Sequence, residues 1–171
     1  MYEILINLWI IVGVIAFFTL LLFSAPYGRH YRSGWGLRLP KRLGWVFMES
    51  PALYLMWVYF YFYDGFSNEV LVFFLFLWSV HYFNRSIIWP FRIKKGGFMP
   101  LSVALMAFLF NAVNTFFHGY WFFLLDNQYD SSWFYEPIFM LGLLIFLIGM
   151  FINIQSDNIL MKLSKTSNNH Y

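Results

Sequence analysis

Five apolar stretches, each about as long as a membrane-spanning helix, dominate this chain of 171 residues. A helix needs about 20 residues to cross the ~30 Å apolar core of a bilayer. Strands are a poor alternative, because lipid leaves exposed backbone groups unpaired and the stretches lack the alternation of a barrel strand. The sequence therefore predicts an all-α fold, a polytopic transmembrane bundle that forms one membrane-embedded domain. The five predicted spans are 4–23, 43–63, 70–88, 101–125 and 138–154.

The charged residues alternate along the chain in step with these spans. All 11 lysines and arginines fall within 29–42, within 85–95 or in the C-terminal tail, and most of the eight acids lie in the segments between. This pattern follows the positive-inside rule for multi-pass membrane proteins. It predicts an N-terminus on the outer or lumenal side and basic loops in the cytoplasm. The membrane would be the endoplasmic reticulum in a eukaryote and the inner membrane in a bacterium.

The composition limits the possible partners. With 61% hydrophobic and 11% charged residues, the chain lies outside the range of soluble domains. Its net charge of +3 comes from residues beside apolar stretches, which favours lipid headgroups or an anionic ligand over nucleic acid. The absence of cysteine excludes disulfides and thiolate metal sites, and we expect no metal.

Two carboxylates, Glu49 and Asp157, break the alternation of charges. A carboxylate within a span costs several kcal/mol unless it is paired or protonated, so it is a candidate for function. Glu49 lies six residues into the second span, about 9 Å along its axis, and Tyr82 reaches a similar depth on the third. Asn153 and Asp157 share a face at the cytoplasmic end of the fifth. The sequence thus predicts polar groups from three helices at one level of the membrane.

Each of these residues also has a structural interpretation. Glu49 could pair with Arg42 or Arg85 and simply stabilise helix packing. Tyr82 could belong to the aromatic belt at the membrane interface. Three polar residues share one face of the fourth span, where they could form interhelical hydrogen bonds or contribute to a pocket: Asn111, Asn114 and His118.

A glycine-bearing loop follows the first span and includes Tyr27, Gly28 and Arg29. Glycine lets a ligand approach the backbone closely, and arginine supplies several donors to a phosphate. The same residues also suit a turn with a topology-setting charge, so the loop alone is a weak signal of phosphate binding.

Four separate motifs resemble the steroid 5α-reductase family, the 3-oxo-5α-steroid 4-dehydrogenases. They are Ala-Pro-Tyr-Gly-Arg-His at 25–30, Met-Glu-Ser-Pro at 48–51, His-Tyr-Phe-Asn-Arg-Ser at 81–86 and Gly-Met-Phe-Ile-Asn-Ile-Gln-Ser-Asp at 149–157. The Met-Glu-Ser-Pro form looks closest to plant and bacterial members. Because family members continue with further spans, the resemblance implies that the chain is the N-terminal portion of such an enzyme.

The resemblance implies a membrane oxidoreductase that uses NADPH to reduce the C4–C5 double bond of a 3-oxo-Δ4 steroid or a similar enone lipid. Glu49 and Tyr82 would engage the 3-keto oxygen as catalytic residues, and Asn114 and His118 would line the substrate pocket. The cofactor site would include Asn153, Asp157, Tyr171, Tyr27, Gly28 and Arg29.

The residue types suit this chemistry. Hydride adds to the β carbon of an enone only if negative charge can collect on the carbonyl oxygen, where a hydrogen-bond donor stabilises it. Tyr82 can donate its hydroxyl proton, and Glu49 can either orient Tyr82 or donate itself if burial keeps it protonated. The alternatives are a related membrane enzyme, such as a polyprenol or enoyl-lipid reductase or an isoprenylcysteine methyltransferase, and a truncated protein without catalytic activity.

Overall fold

The computed structural model describes residues 1–27, 30, 32, 34–93, 97–125 and 129–166, and these residues are mostly helical. The predicted all-α bundle is confirmed: four helical segments are long and apolar enough to cross a membrane, and α2 is a fifth helix of similar length. The helices are α1 Tyr2–Leu22, α2 Lys41–Phe62, α3 Glu69–Phe83, a π-helix Asn84–Ile88, α4 Trp89–Arg92, α5 Leu101–Phe123 and α6 Pro137–Thr166. Short 3-10 helices occupy Gly65–Ser67 and Ser131–Tyr135.

Two predicted spans continue beyond their expected ends. The third runs without interruption through the π-helix and α4, so that Glu69–Arg92 forms one helical segment. The fifth was expected to end at 154, but α6 continues to Thr166. No glycine or proline interrupts its sequence after Gly149, so the helix continues past the apolar stretch.

A small antiparallel sheet joins the starts of α2 and α5. Strand β1, Arg38–Pro40, pairs with β2, Phe98–Pro100, and Leu39 lies opposite Met99. Each strand ends in a proline that directly precedes a helix, a position that suits proline because the first helical N–H groups need no intrahelical acceptor. The sheet therefore fixes the two helix starts side by side.

The connections at the opposite end of the bundle also contact each other. The Asn68 side chain accepts from the backbone N–H groups of Val70 and Leu71 at 3.0 and 3.1 Å, which caps α3. Its Nδ2 donates to the Tyr129 carbonyl at 2.7 Å. The Ser131 hydroxyl donates to the Glu69 carboxylate. Consequently α2, α3, α5 and α6 run alternately up and down, with the residues of the basic clusters at one end.

Close packing of α2 against α5 depends on Gly119. A Cβ at this position would lie 2.5 Å from ring carbons of Tyr59, whose ring stacks against Phe123. We expect Gly119→Ala to lower the free energy of unfolding by about 1–3 kcal/mol, because the ring has to move within a packed interface. Gly149→Ala is the matched control, since no atom lies within 4 Å of its Cβ. If the two variants unfold in detergent at the same midpoint concentration, Gly119 is not packed closely against Tyr59.

Candidate functional site

Local backbone chemistry places Glu49 on the face of α2 that meets α5. Pro51 has no N–H to donate to the carbonyl of Phe47 one turn earlier, and the Ser50 hydroxyl donates to that carbonyl at 3.4 Å instead. From α5, Asn111 Nδ2 donates to the Met48 carbonyl at 2.7 Å and to Glu49 Oε2 at 3.1 Å. The amide of α5 therefore holds both the backbone and the side chain of the Met-Glu-Ser-Pro segment.

Arg85 connects the two carboxylates that break the charge pattern. Its guanidinium lies 3.7 Å from Glu49 Oε1 and 3.3 Å from Asp157 Oδ2. The side chains of all three residues are at most 15% exposed. Arg85 also lies over the rings of Trp45 and Trp89, at 4.7 and 5.9 Å from their centroids. Removing water from such ions is costly, so each depends strongly on its partners.

Tyr82 lies on α3 immediately before the π-helix. Its hydroxyl oxygen accepts from Asn114 Nδ2 at 3.4 Å, and its carbonyl accepts from the Ser86 hydroxyl at 2.6 Å. The wider turn of a π-helix changes the direction of the side chains that follow it, and such turns often occur at functional sites. Here the turn contains Arg85, the residue that contacts Glu49 and Asp157.

The contacts with α5 bring Glu49 and Tyr82 to the same side of the bundle. Asn111 contacts Glu49 and Asn114 contacts Tyr82, and these two asparagines are three residues apart on one helical face. Arg85 provides a second link, since it follows Tyr82 by three residues and contacts Glu49. The structure therefore joins Glu49 and Asp157 through Arg85 and holds Tyr82 beside them by a neighbouring amide of α5.

Of the other residues predicted to bind the cofactor, Asn153 and Tyr27 lie within the described part of the chain. Asn153 is half-buried one turn before Asp157, and its buried Oδ1 has no hydrogen-bond partner among the described residues. The Tyr27 hydroxyl accepts from the indole N–H of Trp45, and burial raises the pKa of this phenol. Because Arg85 stacks on Trp45, Tyr27 joins the same network. Gly28, Arg29 and Tyr171 lie outside the described residues.

An apolar cleft of about 340 Å³ opens between α3, α5 and α6. His118 is part of its wall, and Trp78 connects the cleft to the site because its ring centroid lies 4.7 Å from Tyr82 and 4.9 Å from His118. Asn114 contacts residues of both the site and the cleft. Its side-chain amide donates to Tyr82, and its backbone carbonyl accepts from His118 Nδ1 at 2.9 Å. The other lining residues are Phe74, Leu77, Phe122, Trp133, Ile138, Phe139, Gly142, Leu143 and Phe146.

Sequence reasoning did not select Arg85 and Asn111 as site residues. Arg85 was interpreted as a possible structural partner of Glu49 and as one of the charges that set the topology. A signal was present: a carboxylate within a span needs a partner or a proton, and Arg85 lies one turn from Tyr82 at the basic end of the third span. Nothing in the sequence indicated that the Arg85 guanidinium would lie over the rings of Trp45 and Trp89. In the described ranges, no group of three or more His, Asp or Glu residues is arranged to hold a metal ion.

Comparisons with known proteins give the family that this chain resembles. The sequence model of the family "3-oxo-5-alpha-steroid 4-dehydrogenase" matches residues 97–171. The chain is 36% identical over 170 residues to "Steroid 5-alpha-reductase DET2" of Gossypium hirsutum, a match that covers 94% of this chain and 64% of that protein. It is 35% identical over 155 residues to the Arabidopsis thaliana protein of the same name, covering 86% of this chain and 59% of that one.

A mammalian relative matches to a similar extent. The chain is 34% identical over 177 residues to "3-oxo-5-alpha-steroid 4-dehydrogenase 1" of Bos taurus, which covers 93% of this chain and 63% of the bovine protein. The chain therefore spans about three fifths of the length of the curated relatives that it matches. These matches confirm the resemblance indicated by the four motifs, and the chain is similar to the steroid 5α-reductase family over most of its length.

Proposed function

We propose that this integral membrane protein uses NADPH to reduce the C4–C5 double bond of a 3-oxo-Δ4 steroid or a similar enone lipid. One observation carries the proposal: Tyr82, three residues before Arg85 of the ion network, packs against Trp78, which lines a cleft with aromatic walls. The names of the relatives support the class of reaction, since all of them denote steroid reductases or dehydrogenases.

Tyr82 is suited to donate a hydrogen bond to the substrate ketone. Asn114 Nδ2 donates to the phenol oxygen, which leaves the hydroxyl proton for another acceptor. When hydride adds to the β carbon of an enone, negative charge collects on the ketone oxygen. A fixed donor aimed at this oxygen stabilises the transition state more than the ground state, and one such donor contributes about 2.7–4 kcal/mol in comparable sites.

Glu49 is proposed to orient this donor rather than to donate itself. Asn111 Nδ2 donates to Oε2, and the Arg85 guanidinium faces Oε1 at 3.7 Å. Both carboxylate oxygens therefore face donor groups within the protein. This supports the first of the two roles that the sequence left open, in which Glu49 orients Tyr82. The orientation would act through α5, whose Asn111 contacts Glu49 and whose Asn114 contacts Tyr82.

The cofactor pocket would lie beside Arg85, on the α6 side of Tyr82. Two buried polar atoms here have no partner among the described residues: the acceptor Oδ1 of Asn153 and the donor Nε1 of Trp89. A carboxamide group such as that of nicotinamide offers both a donor and an acceptor, which are the two kinds of partner that these atoms lack. Asn153, Asp157, Trp89 and Tyr27 would hold the cofactor, and NADPH would supply the hydride. Gly28, Arg29 and Tyr171 remain predicted members of this pocket.

The apolar cleft is proposed to hold the body of the substrate. Its volume of about 340 Å³ falls within the range of small-molecule sites. Along α3 its wall runs from Phe74 to Trp78, so a ligand whose ketone meets Tyr82 would extend away from the basic end of the bundle. We place that basic end on the cytoplasmic side, where the charge pattern predicts it.

A product assay tests the proposal directly. Membranes containing the protein should oxidise NADPH when a 3-oxo-Δ4 steroid is added, and mass spectrometry should detect a product two hydrogens heavier and saturated at C4–C5. Membranes without the protein provide the background. Absence of product across a panel of enone sterols, from protein shown to be folded, would contradict the proposed reaction.

Glu49→Gln should lower kcat by roughly 10–100-fold while leaving the Kd for NADPH within about threefold. The substitution keeps the shape of the side chain but removes the negative charge that holds Arg85. Turnover and fluorescence titration with NADPH measure the two effects separately. Asp157→Ala is the matched comparison and should weaken NADPH binding more than it slows turnover. A large loss of NADPH affinity in the Glu49 variant would instead indicate a structural role.

A further inference from the structure

The apolar cleft has few groups that can accept a hydrogen bond from a ligand. Its described wall consists of aliphatic and aromatic side chains together with His118. The indole groups of Trp78 and Trp133 can donate but not accept, and the N–H of Trp78 already donates to the Ala52 carbonyl at 2.7 Å. Among the described side chains of this wall, His118 is thus the one that offers a nitrogen or oxygen acceptor.

The contact made by the other ring nitrogen sets which atom of His118 can accept. Nδ1 lies 2.9 Å from the Asn114 carbonyl, and a carbonyl can only accept, so Nδ1 carries the proton. In a neutral imidazole the opposite nitrogen, Nε2, is then an acceptor with a free lone pair. No hydrogen bond within the described part of the chain uses this atom. His118 itself is exposed, so a ligand in the cleft that covers this atom and shields it from water has to provide a donor or leave the lone pair unpaired.

We propose that His118 makes the cleft selective for ligands with a hydroxyl group on the ring body, which donates to Nε2. This inference rests on the proposed function, since it assigns a second polar contact to the lipid whose ketone meets Tyr82. His118 follows Asn114, the partner of Tyr82, by one helical turn. The hydroxyl would accordingly lie on the part of the ligand that extends from the ketone toward Phe122 and the far end of the cleft.

Equilibrium binding with matched probes tests the inference without any turnover. The protein is reconstituted in phosphatidylcholine nanodiscs, with and without NADP⁺, and tritiated androst-4-en-3-one is displaced by its monohydroxy derivatives. We expect at least one derivative to bind roughly three- to tenfold more tightly than the parent, the gain typical of one net hydrogen bond. His118→Phe should abolish this preference, measured as the ratio of the affinities for a derivative and for the parent within the same variant.

Two further variants separate hydrogen bonding from packing. His118→Gln keeps an acceptor at the end of the side chain and should recover part of the preference. Phe122→Leu trims the same wall and should weaken the parent and its derivatives equally. Equal affinity of the wild-type protein for the parent and every derivative would overturn the role of His118, and so would a preference that survives in His118→Phe.

These outcomes are distinguishable from failure of the proposed function. If the parent steroid does not bind, the cleft is not the lipid site and the inference fails, but a saturated product in the NADPH assay would still support the reductase. If hydroxylated lipids bind selectively but no product forms, the reductase proposal fails and the selectivity of the cleft stands.

Discussion

Tyr82→Phe is expected to lower kcat by about 10²–10³-fold, because it removes the donor that we propose for the charge on the ketone oxygen. The phenyl ring keeps the packing against Trp78, so the variant should fold and bind steroid with little change. Steady-state turnover gives the kinetic effect, and steroid displacement gives the binding. Such a separation of kcat from binding is typical of a group that acts mainly in the transition state.

A second tyrosine provides the control for this result. Tyr54 also lies on a long helix but is 48% exposed, away from the cleft and the ion network. Tyr54→Phe removes the same hydroxyl group and should leave kcat within about twofold of the wild-type value. If Tyr82→Phe kept full activity, the ketone would have another donor and the mechanism proposed above would be wrong.

Arg85→Met should lower the free energy of unfolding by about 3–5 kcal/mol, because it removes the cation that pairs with the buried Glu49 carboxylate and with Asp157. It also removes the planar group that stacks on Trp45. Unfolding in mixed micelles, followed by circular dichroism, measures the loss. Arg92→Met, which removes an exposed arginine bonded to Asn158, should cost less than about 1 kcal/mol.

The origin of the loss can be tested by neutralising the two acids. The triple variant Glu49→Gln, Arg85→Met, Asp157→Asn has no uncompensated charge, and it should recover most of the stability lost in Arg85→Met. It should remain inactive, because the oriented network around Tyr82 is gone. If the triple variant is as unstable as Arg85→Met, the loss comes from packing around the two indoles and not from unpaired charge.

The positions of the helices could be predicted well from the sequence because lipid imposes a strict relation between apolar length and span. The start of α2 was predicted within two residues and that of α5 at Leu101 itself. The end of α6 was not, since hydropathy marks where lipid ends and not where helical hydrogen bonding ends. Three-residue strands such as β1 and β2 carry too short a pattern to be recognised.

The sequence predicted how deep in the membrane the candidate site lies, but not which way its side chains face. Counting 1.5 Å per residue from the charged ends places Glu49 and Tyr82 at one level. Whether their side chains face each other depends on the rotation of each helix, which packing decides. Asn111 and Asn114 contact Glu49 and Tyr82, and the sequence alone favoured interhelical hydrogen bonds for them without indicating their partners. The π-helix at Asn84–Ile88 also changes the direction in which its side chains face. A regular α-helix through this segment would therefore point Arg85 in a different direction.

The sheet formed by β1 and β2 has a consequence for the response of the protein to different lipids. It joins α2 and α5 outside the apolar stretches, so these helices cannot slide past each other without breaking its ladder. By contrast, α1 has no buried residue and contacts α5 mainly through Tyr2 and Trp9. In a thinner or thicker bilayer, α1 can tilt to match the hydrocarbon while the heights of Glu49 and Asn111 stay equal. A change in lipid composition would then alter the tilt of α1 without changing the relative positions of α2 and α5.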